Sequence, residues 1–448
     1  MAGIFKAYDV RGTYPDQIDE EIVRKIGRSF ALLLDQQTGT DSRKVVVGHD
    51  MRSHSAPLCE ALLDGLHTSG IDTLEIGLTT TPMNYFAVGK LQAAGGIQVT
   101  ASHNPARYNG LKFSLHEARP VSGDDGIPLM EQAATSGDLP TSDRRGTSEK
   151  VNLFEDYGQH VLGHLLEGRR LKVAVDAANG MGTIYKPLLE RAGIDLIPLY
   201  FELDGNFPNH EANPLKLENL EDLSALVRSE QADLGVCFDG DADRAAFVDE
   251  TGAPIGSDLV TALIGGEIVA ENPGKAVVYD VRSSRAVAEY LTEKGGDPRK
   301  ERVGHSFIKA TMRKLGGVFG GELAGHYYFR ENFYADCSLL AVVEVINLLR
   351  KKNQTMSEIV APLARYATSP EINFEVEDKQ GMMAQLGERY SDGEISHLDG
   401  ISVDFPDWWF NVRPSNTEPL LRLVLEANTP ELLAEKQTEL TEMLGTPI

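Results

Sequence analysis

The sequence predicts an α/β protein of several domains: three similar mixed α/β domains followed by a C-terminal α+β domain. Two observations carry that expectation. Three segments repeat one pattern, a Lys, an apolar run, an Asp and a Ser- or Gly-bearing loop opening a helix: "KVVVGHDMRSHSAPL" from Lys44, "KVAVDAANGMGTIYKPLL" from Lys172 and "KAVVYDVRSSRAVAEYL" from Lys275. Each reads as strand, loop, helix. At 448 residues, 42% of them apolar, the chain also exceeds the length at which a single hydrophobic core stops growing.

The repeats continue alike. Gly70, Gly193 and the pair Gly295 and Gly296 stand where the helix would be capped, and in the first two repeats the chain then resumes as a strand. Farther on, an apolar stretch runs into a polar loop: "GGIQVTASHNP", "ADLGVCFDGDADR" and "GGVFGGELAGHYYF". Alternating strands and helices imply mainly parallel sheets, which bind ligands beyond the carboxyl ends of their strands, so the three loops are expected to converge on one cleft. From about residue 366 the pattern changes to "ATSPEINFEVED", a polar helical stretch, "GISVDFPDWWFNVRPSNTEPLLRLVLEA" and an amphipathic helix, which suits antiparallel strands. The expected domains are 1–147, 148–250, 251–365 and 366–448.

Charge and cysteine usage narrow the partners. With 43 basic against 67 acidic residues the net charge is -24, which argues against nucleic acid or anionic lipid as a partner. An anionic substrate would need Lys and Arg gathered locally. Cys59, Cys237 and Cys337 are scattered without metal-ligand spacing, so no disulfide framework or zinc site is expected. No basic segment followed by a long apolar run opens the chain, and no membrane span is visible. A cytoplasmic protein is the expectation.

In "FDGDADR", Asp239, Asp241 and Asp243 alternate after an apolar strand, so three carboxylates can meet one hard cation. An EF-hand is excluded: Glu250 falls at its twelfth position, but Arg244 stands where that loop requires Gly, and strands flank it instead of helices. An aspartyl phosphatase also places Asp-x-Asp after a strand and stays open. In "TASHNPARYNGLKF" Ser102 lacks a GxSxG elbow, and the adjacent His103 is expected to diverge from it, which disfavours a Ser-His-Asp hydrolase. A serine that carries a phosphoryl group needs instead a cation on the phosphate oxygens and access for an acceptor hydroxyl; Lys112 lies close by in sequence. In "RPSNTEPLLR", Arg413, Ser415, Asn416, Thr417 and Arg422 supply the donors that a phosphate monoester requires. Glu322 and His326 of "GGELAGHYYF" offer a carboxylate and an imidazole to sugar hydroxyls.

Taken together, "FKAYDVRG", "TASHNPxxYNGxK", "DGDADR", "GExxGH" and "RPSNTEP" occur in an order that resembles the α-D-phosphohexomutase superfamily, most closely its bacterial phosphomannomutase/phosphoglucomutase branch, over nearly the whole chain. The resemblance implies four domains in a heart shape around a central cleft. It implies an enzyme that interconverts hexose 6-phosphate and hexose 1-phosphate, mannose phosphate favoured, through phosphoserine and a hexose 1,6-bisphosphate that also serves as activator. Ser102 would be the phosphoserine, with Mg2+ between its phosphate and Asp239, Asp241 and Asp243. Lys112 and Arg244 match positions of proton transfer and charge stabilisation, Tyr8 and Arg11 a segment approaching the phosphoserine, and His103 would shape the surroundings of Ser102. Glu322, His326, His305 and Arg282 match sugar and substrate contacts. Arg413, Ser415, Asn416 and Thr417, with Arg422, match the clamp on the other phosphate. Hexose phosphates are the partners implied, acting on a monomer or homodimer. A metal-dependent sugar phosphatase and a noncatalytic sugar-phosphate-binding protein are the alternatives.

Two features depart from the family pattern. Ala324 stands where Ser is common in the sugar loop, which removes one hydroxyl. Trp408 and Trp409 in "PDWWF" fit a core, an interdomain contact or a cleft lip equally.

Overall fold

The computed structural model describes residues 3–37, 39–121, 126–415 and 420–448. They fall into two compact units. One comprises 1–257 and 324–357, the other 258–323 and 358–448.

In the first unit, one sheet runs in the order Asp9–Thr13, Tyr108–Leu115, Gly95–Val99, Lys44–His49, Asp72–Leu78 and Ser148–Lys150. The last four strands are parallel, and Tyr108–Leu115 is antiparallel to both of its neighbours. Helix Glu20–Asp35 begins where the Asp19 side chain accepts from the Ile22 N–H, with Glu20 and Glu21 in its first turn, an arrangement that satisfies a free donor and suits the helix dipole. It buries Val23, Ile26, Phe30, Leu33 and Leu34, in the three-and-four spacing of one helix face. The second sheet orders Pro254–Ile255, Ala245–Val248, Leu234–Phe238, Lys172–Asp176 and Asp195–Leu199. All five residues of its central "LGVCF" strand are buried, as expected of a strand covered on both faces. Residues 324–357 add the hairpin of Tyr327–Phe329 with Ala335–Asp336 and helix Ser338–Lys352.

The second unit holds the parallel strands Asp297–Glu301, Ala276–Asp280 and Phe319–Gly321. It also holds an antiparallel sheet ordered Ala367–Thr368, Leu420–Ala427, Trp408–Pro414, Ile401–Asp404 and Glu394–Ser396, with Ile372–Glu375 also on Leu420–Ala427. Helices Lys379–Arg389 and Pro430–Leu444 accompany it, and Phe374, Leu386, Val403, Phe410, Leu423 and Leu440 form its core.

The threefold repeat is visible in the strands. Lys44–His49, Lys172–Asp176 and Ala276–Asp280 each lie between two parallel neighbours. Each leads to an aspartate, Asp50, Asp176 or Asp280, whose Oδ1 accepts the backbone N–H two residues on, at 3.1, 2.8 and 2.8 Å. Three details differ from the sequence reading. The third repeat also resumes as a strand, Asp297–Glu301, a polar segment with exposed Arg299 and Lys300 that the pairing with Ala276–Asp280 alone holds among the strands of its unit. Strand Ser148–Lys150 pairs with Asp72–Leu78, so the first sheet reaches past residue 147. Pro254–Ile255 pairs with Ala245–Val248, carrying the second sheet past 250.

Among the described residues no helix is long and apolar enough to cross a membrane. Cys59, Cys237 and Cys337 are free and buried.

Candidate active site

Ser102 sits in the turn after strand Gly95–Val99, buried, with φ at +52°. A non-glycine residue holds that left-handed backbone at a cost, and tight surroundings must fix it. Arg52 does so. Its Nη2 donates to the Ser102 and Asn104 carbonyls at 2.8 and 2.6 Å, and its Nη1 to those of Pro105 and Tyr108 at 2.9 and 3.0 Å. Asp50 holds Arg52 Nε at 3.2 Å and accepts from Thr100 Oγ1 at 2.7 Å, and that hydroxyl in turn accepts the Ser102 N–H at 3.0 Å. The planar fork of a guanidinium suits this multiple grip.

The acidic loop meets the serine. Ser102 Oγ donates to Asp239 Oδ2 at 2.7 Å. Gly240 permits the approach, since a Cβ there would lie 2.3 Å from the Ser102 carbonyl oxygen. Asp239 Oδ1 accepts the N–H groups of Asp243 and Arg244, at 3.0 and 3.2 Å. Thr81 Oγ1 donates to Asp241 Oδ2 at 2.5 Å, and Ser338 Oγ to the Ala242 carbonyl at 2.6 Å.

Asp239, Asp241 and Asp243 are buried, and each offers a carboxylate oxygen within 4.8 Å of the others. Asp241 Oδ1 is buried with no hydrogen-bond donor among the described residues. Burial, then the charges of Asp243 and Asp241, push the Asp239 carboxyl well above the usual carboxylate range. Crowded oxygen ligands of this kind fit a hard divalent cation.

Cations ring the loop. Lys112 Nζ donates to Asp241 Oδ2 at 2.7 Å and to Asp243 Oδ2. Burial works against its charge, but Asp241 and Asp243 prevail and raise its pKa well above the ordinary value. Arg244 Nε lies 4.0 Å from Asp239 Oδ2, and His326 Nε2 lies 3.4 Å from both Arg244 Nε and Asp243 Oδ1. Arg11 donates to Asp9 Oδ2 at 2.5 Å and Asn104 Oδ1 at 2.6 Å, on the strand paired with Tyr108–Leu115. Tyr8 is half-buried just before that strand.

His103 does not diverge from Ser102 as expected: its Nδ1 lies 3.3 Å from Ser102 Oγ. The left-handed turn at Ser102 folds the two side chains together. Burial, then Arg244, Arg11 and Lys112, hold the His103 pKa well below its usual value. The shorter contact of the serine is with Asp239.

The second unit gathers a different cluster. Arg282 Nη2 donates to Asp280 Oδ2 at 2.7 Å, and the same oxygen accepts the Leu323 N–H at 2.9 Å. Glu322 Oε1 accepts the Gly304 N–H at 3.0 Å, just before His305 opens helix His305–Leu315. Arg413 and Arg422 lie directly opposite each other on adjacent antiparallel strands. Glu371 joins them, its Oε2 taking Arg413 Nη2 at 2.8 Å and its Oε1 Arg422 Nη1 at 3.1 Å. Ser415 follows the Trp408–Pro414 strand; Asn416 and Thr417 lie outside the described residues. The sugar-loop motif is divided, with Glu322 in this unit and His326 in the first.

Trp408 belongs to the core of this unit, stacked 4.8 Å from Phe405, and Trp409 is buried and donates Nε1 to Glu426 at 2.7 Å. Sequence reasoning missed Arg52, Thr81 and Glu371. The recurrence of Asp-x-Arg at Asp50 and Asp280 was a usable signal for Arg52.

Four family descriptions match consecutive stretches of the chain. Phosphoglucomutase/phosphomannomutase, alpha/beta/alpha domains I, II and III, cover 2–138, 155–252 and 256–366, and the C-terminal domain covers 371–443. A protein named phosphohexose mutases from Xanthomonas campestris pv. campestris is 39% identical over 446 residues, 97% of each chain. A phosphomannomutase/phosphoglucomutase of Pseudomonas aeruginosa is 34% identical over 443 residues, 98% of this chain and 94% of that one. A crystal structure of a phosphoglucomutase/phosphomannomutase family protein from Burkholderia thailandensis superposes with a TM-score of 0.91 at 33% identity, covering 99% of this chain and 97% of the other. Matched in all four parts and along its whole length, the chain belongs to the phosphoglucomutase/phosphomannomutase family of enzymes.

Proposed function

We propose that the chain interconverts hexose 6-phosphates and hexose 1-phosphates, with mannose phosphate favoured and glucose phosphate a second substrate, through phospho-Ser102 and a hexose 1,6-bisphosphate. Family membership supports mutase chemistry on a hexose phosphate. The observation that carries the rest is the 2.7 Å contact between Ser102 Oγ and Asp239, which makes the hydroxyl and the carboxylate cluster one site.

Asp239, Asp241 and Asp243, with a phosphate on Ser102, would hold Mg2+, which when bound neutralises phosphoryl charge and leaves phosphorus open to attack. Arg52 and Thr100 fix the backbone of that serine. In the first half-reaction a sugar hydroxyl oxygen bonds to phosphorus as the bond to Ser102 Oγ breaks, and the hydroxyl proton ends on Ser102 Oγ. The bisphosphate results. In the second, Ser102 Oγ attacks the other phosphate, its proton ends on the released sugar oxygen, and the isomeric monophosphate leaves. No water is consumed.

Lys112 and Arg244 place positive charge beside the transferring group, with Lys112 the partner for proton exchange, and Arg11 and Tyr8 complete that side. His103, held neutral, shapes the pocket wall. Glu322, His326 and His305 are assigned to sugar hydroxyls, and Arg282, Arg413, Ser415, Asn416, Thr417 and Arg422 to the phosphate that is not reacting. With Ala324 in the sugar loop, one hydroxyl contact is absent, which bears on which hexose is preferred and leaves the transfer chemistry intact.

Phosphorus NMR of mannose 1-phosphate incubated with the enzyme, Mg2+ and a trace of glucose 1,6-bisphosphate tests the reading. Conversion to the 6-phosphate without inorganic phosphate is expected. Release of inorganic phosphate would mean a phosphatase, and an unchanged spectrum a binding protein.

A further inference from the structure

The arginine cluster of the second unit already contains an anion. Arg413 and Arg422 face each other across paired strands, a placement that is unfavourable for like charges. Arg282 approaches from the neighbouring sheet of the same unit, with Nη1 3.6 Å from Glu371 Oε2. Three guanidiniums thus converge on the two oxygens of one carboxylate, at 2.8, 3.1 and 3.6 Å. Glu371 stands just before strand Ile372–Glu375, which pairs with the strand carrying Arg422, so the backbone register delivers it there. Burial opposes its charge, but Arg282, Arg413 and Arg422 outweigh burial and hold the carboxyl below its usual range. Arg413 is 2% exposed, and its Nε is buried without a hydrogen-bond partner among the described residues. Glu371 therefore leaves that donor of Arg413 unused.

We propose that Glu371 is a built-in competitor for the arginines that take the substrate's phosphate. The inference rests on reading Arg282, Arg413 and Arg422 as phosphate ligands, and goes beyond it in giving Glu371 a function. A phosphate monoester dianion brings more charge and more acceptor oxygens than one carboxylate, so it can displace Glu371 from the guanidiniums. When the phosphate departs, Glu371 takes them back, and the departing anion does not leave Arg413 and Arg422 uncompensated. A bisphosphate that must offer first one phosphate and then the other to the same arginines needs such a release. Asp280 remains paired with Arg282 in either state, so the exchange involves Glu371 alone.

Titration calorimetry with inorganic phosphate on the full-length protein separates the possibilities, using wild type, Glu371→Gln and Arg413→Met. Glu371→Gln should bind phosphate about tenfold more tightly. In turnover it should show a lower KM and a lower kcat, because release is slowed. If Glu371 merely braced the arginines, the same variant would bind phosphate more weakly and raise KM. Unchanged or weaker phosphate binding in Glu371→Gln, with binding lost in Arg413→Met, overturns the competitor and leaves the phosphate site standing. Unchanged binding in Arg413→Met overturns both. Should Glu371→Gln fail to fold, Glu371→Asp keeps the charge on a stem one methylene shorter, and a roughly two- to threefold tightening is then expected; no tightening there overturns the proposal.

Discussion

The two clusters are built with opposite charge. In the first unit three buried carboxylates crowd one loop, with Lys112 the ammonium bonded to two of them. In the second, three guanidiniums crowd one carboxylate. Each is built mainly from the charge opposite to what it is proposed to bind, carboxylates for a cation and guanidiniums for a phosphate dianion, partly offset by Arg244 in the first and Asp280 in the second. This resolves the difficulty that the net charge of -24 raised for an anionic substrate: the fold concentrates positive charge where the overall composition disfavours it. The clusters also share a scaffold device. Asp50 grips Arg52 and Asp280 grips Arg282 at equivalent places in two repeats, yet Arg52 is spent on backbone carbonyls whereas Arg282 extends to Glu371.

The sharpest way to break this contrast is at the serine. Ser102→Ala should reduce kcat by roughly 10³-fold or more, with the thermal midpoint nearly unchanged. Next, Asp243→Asn removes one carboxylate from the cation side; kcat should fall by roughly 10²- to 10³-fold, with a higher Mg2+ concentration needed for half-maximal rate. On the anion side, Arg413→Met should act mainly through KM, raising it by about 10- to 100-fold while kcat changes less. If instead the cation-side variant raised KM and the anion-side variant lowered kcat, the division of labour would be wrong. Arg52→Lys keeps the charge but loses the fork, and a kcat loss of about tenfold at nearly constant KM is expected.

The smallest effect sharpens the scaffold comparison. The middle repeat gives Asp176 a titratable partner, His210, at 2.9 Å, where the other two have arginine. Burial lowers the pKa of His210, but the hydrogen bond and charge of Asp176 prevail and the net shift is upward. A raised folded-state pKa means stabilisation that is complete below the unfolded value of about 6.5 and fades as pH rises through the folded value. His210→Gln should therefore lower the thermal midpoint more at pH 6 than at pH 9. Equal losses at both would show that this Asp holds a neutral ring.

Much of the fold and of the acidic loop was legible because both are written in local spacing. The three Lys-led strands and the Asp239, Asp241 and Asp243 alternation need only a few residues of context. What escaped depends on partners distant in the chain. Arg52 acquires meaning from four carbonyls between Ser102 and Tyr108, and Glu371 from two arginines placed by strand register and a third from another sheet. The strand Asp297–Glu301 carries too little apolar character to be read from hydropathy. The proximity of His103 to Ser102 follows from a left-handed serine that no spacing rule supplies. Trp408 and Trp409 were undecided in the sequence because aromatic residues serve cores and cleft lips alike; packing against Phe405 and the bond to Glu426 place both inside.

The central claim is that Ser102 carries the phosphoryl group, and intact mass spectrometry tests it most directly. After incubation with glucose 1,6-bisphosphate and removal of small molecules, the wild-type chain should gain the mass of one phosphate, and the Ser102→Ala chain should gain none. A wild-type chain that stays unmodified, or a Ser102→Ala chain that gains the same phosphate, would contradict the account.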